Sequence, residues 1–326
     1  MQTYKEKALI MESVHFTESL DENAEAQMIA RIESGELIEH IEDMTPGYRE
    51  ALKQVIHIAA ISEITVLTWA HTAYDSAPDI GAKIAVCATI QDEVGHAHQQ
   101  GLLAERFGVD IHHGTFEDSI DKIFTWPIME FPIRNYVEFV VMQCLLDRAG
   151  LHWTKDIELH SSFAPYRRTL RKVNFEEGFH MRHGAHWTEF YWNNSDETKQ
   201  AVQTAFDWLF PHGVMWFGKP DDLKSRPAML QYQIRKWSND FMRDKWLQSA
   251  CAFAAKHDIT VPAHYDEEQK KYVLDMPYPM LYNRDYTWTQ EQTTQKEYWS
   301  NARKGGPMRP AAYERLRHEE WGDQLW

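Results

Sequence analysis

Two short stretches constrain this chain more than anything else in it. Residues 91–96 read QDEVGH and residues 175–180 read FEEGFH, so Glu93 and His96 are three apart, as are Glu177 and His180. Residues three apart on a helix leave it from one side, and a carboxylate beside an imidazole is a pair of metal donors. One further acid precedes each pair within an apolar run. Glu63 lies in AAISEITVL (93 − 63 = 30) and Asp147 in VVMQCLLDRAG (177 − 147 = 30). At a rise of about 1.5 Å per residue, two antiparallel helices joined by a short turn bring residues so separated to one level. The repeated interval predicts two helical hairpins, each offering acid, acid and histidine at mid-height.

The 54 residues from Glu93 to Asp147 (147 − 93) leave room for a long crossover between the hairpins, as ferritin-like bundles have. The donor scheme is that of di-iron carboxylate bundles: an acid from each of two helices and Glu-x-x-His from each of the other two. The predicted fold class is all-α, a ferritin-like four-helix bundle with a di-metal core, additional helices and an irregular C-terminal extension. The predicted ligands are Glu63, Glu93, His96, Asp147, Glu177 and His180. Four carboxylates nearly neutralise two divalent ions, and oxygen and nitrogen donors suit two irons or, equally, manganese. Without an ion, four buried acids would suffer desolvation and mutual repulsion.

Asp92 and Glu176 each stand four residues before a histidine. They are candidates to accept the second N–H of a ligand imidazole, the alternative being ordinary solvated or salt-bridged acids. Spacing gives His98, His183 and His186 no defined role.

Helical periodicity runs through the first three quarters of the chain. Helices are predicted from about Tyr48 to Tyr74, Ile80 to Phe107 and Asn135 to Ser161, and from Pro165 to about Trp192. A fifth follows NNSDE and is expected to be interrupted at Phe210-Pro211. A long sixth covers 226–257. Beyond Asp258 the Pro- and Tyr-rich sequence predicts loops and short pieces wrapping over the bundle. The organisation is therefore read as an N-terminal extension (1–44), a ferritin-like domain (45–258) and a C-terminal extension (259–326).

A formal net charge of −15 argues against nucleic acid or an anionic membrane surface as the main partner. Three dispersed cysteines, Cys87, Cys144 and Cys251, read as buried reduced thiols. With no evident signal peptide and no apolar run of about 20 residues, a cytoplasmic location is expected.

The motifs SEI (62–64), QDEVGH (91–96), LLDRA (145–149) and FEEGFH (175–180) occur here in the order seen in the catalytic subunits of bacterial ring 1,2-phenylacetyl-CoA epoxidases. MWFGKPDD (215–222), QIRKWSND (233–240) and DITVP (258–262) resemble later landmarks of that family, and the likeness covers roughly residues 45–275. The resemblance implies that the six predicted ligands hold two irons in a di-iron monooxygenase. It implies activation of O2 and epoxidation of the aromatic ring of a CoA thioester such as phenylacetyl-CoA. NADPH would supply electrons through a separate flavin and iron–sulfur reductase. The partners would be small coupling proteins and a related, non-catalytic ferritin-like subunit.

By position, Arg235 and Asn239 match family residues that hold the CoA portion, and Lys224 adds positive charge nearby. The alternative is a basic face on a surface helix. The chain departs from the family at Gln54, Ile58 and Thr89 and along 115–132. Those departures bear on the acyl group and leave open another aromatic substrate. A ferritin-like iron-handling or non-catalytic subunit is a further alternative, as is the radical-generating subunit of ribonucleotide reductase.

Overall fold

The computed structural model describes residues 20–111, 126–131, 133–218, 220–223, 228–276, 278, 280–282 and 288–292. Lys224 and most of the 115–132 stretch lie outside the described residues.

Helix starts are fixed by local chemistry. Helix α1 (Glu22–Glu33) is capped by the Asp21 carboxylate, which accepts the backbone N–H groups of Asn23 and Ala24. Helix α2 (Pro46–Ser76) opens with proline in its first turn, where the missing N–H costs nothing. A connection of residues 77–79 leads to α3 (Ile80–Glu105), where Asp79 caps Ala82 N at 2.7 Å. The third bundle rod starts at the Asn135 cap as α4 (Tyr136–Met142), passes through a π-helical turn (Gln143–Asp147) and continues as α5 (Arg148–His160). The fourth is α6 (Ala164–Asn194), again with proline in its first turn. Helix α7 (Asp196–Met215) begins with a Ser195–Thr198 capping box. Then come the short α8 (Ala228–Gln231) and α9 (Asn239–Lys256). Two antiparallel hairpins, β1 (Ala263–Asp266) with β2 (Lys271–Leu274) and β3 (Met280–Tyr282) with β4 (Trp288–Gln292), follow.

The expected all-α, ferritin-like bundle is the fold observed. Two apolar clusters fill it. One gathers Trp69, Phe139, Phe206, Phe210 and Trp246, and the other Tyr48, Leu52, Phe163, Tyr166 and Tyr232. Helices α2, α3 and α6 each pass from one cluster to the other, and their acids and histidines stand at the crossing. Helix α2 has the length and apolar composition of a membrane span, but its side chains Leu52, Ile56, Ala60, Trp69 and Ala73 are buried in the bundle.

The fold departs from the sequence reading at one side chain and in two stretches of backbone: Cys144 and Cys251 are buried as expected, but Cys87 is exposed. Helix α7 runs through Pro211 to Met215 without interruption. Proline inside a helix costs about 3 kcal/mol, whereas burying each large apolar side chain returns roughly 1.5–3 kcal/mol. Leu209, Phe210 and Val214 are fully buried around it, so packing wins. The predicted long sixth helix is broken between Gln231 and Asn239. Gln233 takes φ 47°, and the buried Asp156 carboxylate accepts the backbone N–H groups of Lys236 and Trp237. Tyr232 and Ile234 are buried by this turn, which a continuous helix would carry elsewhere.

Candidate metal centre

The six predicted residues converge. Glu63, Glu93, His96 and Glu177 offer ligand atoms within 4.8 Å of one another, and Asp147, Glu177 and His180 form a second such group sharing Glu177. His96 Nδ1 lies 3.4 Å from Glu177 Oε1, 3.8 Å from Glu93 Oε2 and 4.0 Å from Glu63 Oε2. His180 Nδ1 lies 3.3 Å from Glu93 Oε1 and 3.8 Å from Glu177 Oε2. The two rings are 6.2 Å apart. Donors about 2.1 Å from one ion and 90° apart would stand about 3 Å from each other, close to these spacings.

The outer nitrogens are held in a crossed pattern. His96 Nε2 meets Glu176 Oε2 at 3.0 Å, and His180 Nε2 meets Asp92 Oδ2 at 3.2 Å. Each acid stands four residues before one histidine yet holds the other, across the α3–α6 contact. A carboxylate accepts, so Nε2 carries the hydrogen and Nδ1 is the pole turned into the cluster. Both Nδ1 atoms are buried with no hydrogen-bond partner. Glu176 is itself braced by Lys172, with Nζ 2.7 Å from Oε1.

Without an ion the cluster redistributes protons. Burial opposes charge on His96, but the facing carboxylates of Glu177 and Glu93 outweigh it and push the ring up to about 12. His180 is pushed up to about 10 against its burial, chiefly by Glu93 and then Glu177. Burial, aggravated by neighbouring carboxylates, raises Glu63 and Asp147 well above the ordinary range. Glu93 is held below that range because both imidazoles outweigh its burial. These five groups thus compete for protons where two divalent cations would satisfy them. The residues present fit a dinuclear site, and their oxygen–nitrogen set suits iron or manganese.

Sequence reasoning missed two further side chains. Gln100 Nε2 donates to Glu63 Oε1 at 2.8 Å, and Tyr166 Oη donates to Gln100 Oε1 at 3.2 Å. Gln100 lies one turn after His96 on the ligand-bearing side of α3, a signal available in the sequence. A cavity opens beside the carboxylates, walled by Trp126, Trp153, Trp216, Met129, Leu146 and Val66. Trp126 and Trp216 stack with ring centres 4.7 Å apart.

Arg235 and Asn239 are buried, at 3% and 5% exposure, rather than on an open helix face. The guanidinium donates to Asn239 Oδ1 and lies against the sulfur atoms of Met229 and Met242. Among the described residues no acid stands within ion-pair distance of it. Burial lowers its pKa to about 10, so it stays charged at neutral pH.

A sequence model of the family described as phenylacetic acid catabolic protein matches residues 11–303. A 1,2-phenylacetyl-CoA epoxidase subunit of Escherichia coli (strain K12) is 27% identical over 248 residues, spanning 74% of this chain and 79% of that protein. With the match extending over most of its length, the chain belongs to the phenylacetic acid catabolic protein family.

Proposed function

We propose that this protein is the metal-bearing oxygenase subunit of a multicomponent enzyme that oxygenates the aromatic ring of a CoA thioester, phenylacetyl-CoA being the first candidate. The observation carrying this reading is the pair of buried, unpartnered Nδ1 atoms facing shared carboxylates. Glu63, Glu93, His96, Asp147, Glu177 and His180 would hold two irons. When bound and reduced, that centre supplies the activation of O2. NADPH, acting through a separate flavin and iron–sulfur reductase, is the proposed electron source, and a related ferritin-like protein the proposed partner.

The chain's own residues do the rest. Asp92 and Glu176 fix the tautomer and aim of the two ligand rings. The tryptophan-rich cavity beside the carboxylates gives an aromatic ring an apolar resting place and excludes water, which protects a reactive centre from wasteful side reactions. Arg235, preoriented by Asn239, keeps its charge for an anionic group of the thioester's CoA arm, with Lys224 as a further proposed contact.

The deciding experiment is O2 uptake and product analysis on iron-loaded protein with reductase, offered phenylacetyl-CoA, benzoyl-CoA and free phenylacetate. Thioester-dependent uptake with a ring-oxygenated product supports the proposal. Uptake only with a free aromatic would remove the CoA assignment, and iron oxidation without substrate dependence would favour an iron-handling role.

A further inference from the structure

The two halves of the site are related by a constant offset. Adding 84 to 63, 92, 93 and 96 gives 147, 176, 177 and 180, so Glu63 pairs with Asp147, Asp92 with Glu176, Glu93 with Glu177 and His96 with His180. The correspondence breaks one turn further on, where 100 + 84 places Gly184 opposite Gln100. In the first half Gln100 ties down Glu63 Oε1, leaving Oε2 toward the cluster, and Tyr166 fixes the other end of the Gln100 amide. In the second half no amide can reach from that position. A Cβ at Gly184 would lie 2.5 Å from Cys144 N and 2.6 Å from Val140 O, so the glycine exists to let the π-helical rod approach.

The second half does carry a buried glutamine, Gln143, but its amide serves other groups: Oε1 meets His183 Nδ1 at 2.7 Å and Nε2 meets Thr89 Oγ1 at 3.4 Å. Among the described residues, the Asp147 carboxylate has no hydrogen-bond partner. It is also one methylene shorter than Glu63 and ends the π turn. Glu93 and Glu177 face both imidazoles, so the two ion positions differ in the remaining carboxylate: a pinned Glu63 at the first and an untethered Asp147 at the second.

We propose that the two ion positions are inequivalent: a divalent cation binds first and more tightly among Glu63, Glu93, His96 and Glu177, and second and more weakly at Asp147, Glu177 and His180, because Gln100 preorganises only the first. This rests on the dinuclear reading of the site. Removing an outer-shell partner of a metal ligand typically lowers affinity about 10–100-fold, which sets the size of the asymmetry. The second ion is accordingly the exchangeable one.

The test is a titration of metal-free, full-length protein with Mn(II), following free Mn(II) by its electron paramagnetic resonance signal, with thermal unfolding as the control for folding. Wild type should show two classes of site separated by at least tenfold. Gln100→Leu should weaken the tight class about 10–100-fold and leave the weak class in place. Asp147→Asn should lose the weak class and keep the tight one. Should Gln100→Leu fail to fold, Tyr166→Phe tests the same tether from its far end, with a smaller loss in the tight class. Two equal sites in wild type, or loss of the tight class in Asp147→Asn, would overturn the inequivalence while leaving the dinuclear reading standing. Absence of any bound Mn(II) or Fe(II) in folded protein would instead overturn the reading on which it rests.

Discussion

Replacing Gly184 by alanine tests the close crossing that shapes the Asp147 half of the site. The added methyl would sit 2.5 Å from Cys144 N, 2.6 Å from Gln143 Cβ and 2.6 Å from Val140 O. Ordinary contact begins near 3.4 Å, so the rod and α6 must part by about 0.9 Å (3.4 − 2.5). Two of the three obstructing atoms are backbone, which cannot rotate aside. Overpacking of this kind costs roughly 1–3 kcal/mol, and it cancels the ~1 kcal/mol that alanine gains over glycine in a helix. Gly95→Ala is the matched control, because nothing lies within 4 Å of its Cβ position. That substitution should stabilise by about 0.5–1 kcal/mol.

Urea unfolding should therefore separate the two variants by roughly 1–3 kcal/mol, with Gly184→Ala the less stable. The melting temperature of Gly184→Ala should fall several degrees, at about 2–4 °C per kcal/mol for a domain of this size. Because the displaced segment carries Asp147, the variant should also bind its second equivalent of metal more weakly. If Gly184→Ala proves as benign as Gly95→Ala, the two helices do not cross this closely and glycine is not what admits the π turn.

Asp92→Ala should weaken metal binding about 10–100-fold by releasing His180, and Glu176→Ala by releasing His96, as read by metal titration. Equal binding in both variants and wild type would contradict the crossed hydrogen bonds. Arg235→Met should leave the melting temperature unchanged or raise it, because a buried cation with no ion pair among the described residues is exchanged for apolar contact. The same variant should raise KM for a CoA thioester at least tenfold with a smaller change in kcat. His212 is pushed down to about 3 by burial. Between pH 6.5 and that value the unfolded chain takes up a proton that the folded one refuses, so stability falls as pH falls. His212→Gln, compared with wild type in metal-free protein, should flatten that decline by about 1 kcal/mol between pH 6.5 and 5.5 in urea titrations.

The bundle and its convergence of six side chains were legible because donors at i and i+3, repeated with one 30-residue interval, fit few arrangements other than paired helices. The breaks and continuations were harder, because tertiary packing decides them. Pro211 stays helical through the burial of Phe210 and Val214, neighbours that no local rule weighs against proline. The turn at 232–238 depends on Asp156, about 80 residues away, reaching the backbone of Lys236 and Trp237. Asp92 and Glu176 were recognisable as partners for histidines. Which histidine each serves required knowing how α3 lies against α6. The π turn left no composition signal, and Gln100 went unread because an amide on a ligand-bearing helix face carries no charge to draw notice.

The reciprocal grip of Asp92 on His180 and of Glu176 on His96 means that neither hairpin aims its own imidazole. A homologue could keep all six donors and still misalign a ring after losing one neighbouring acid. Judging whether a related chain retains a working centre thus requires reading eight positions, because the aim of each half is stored in the opposite one.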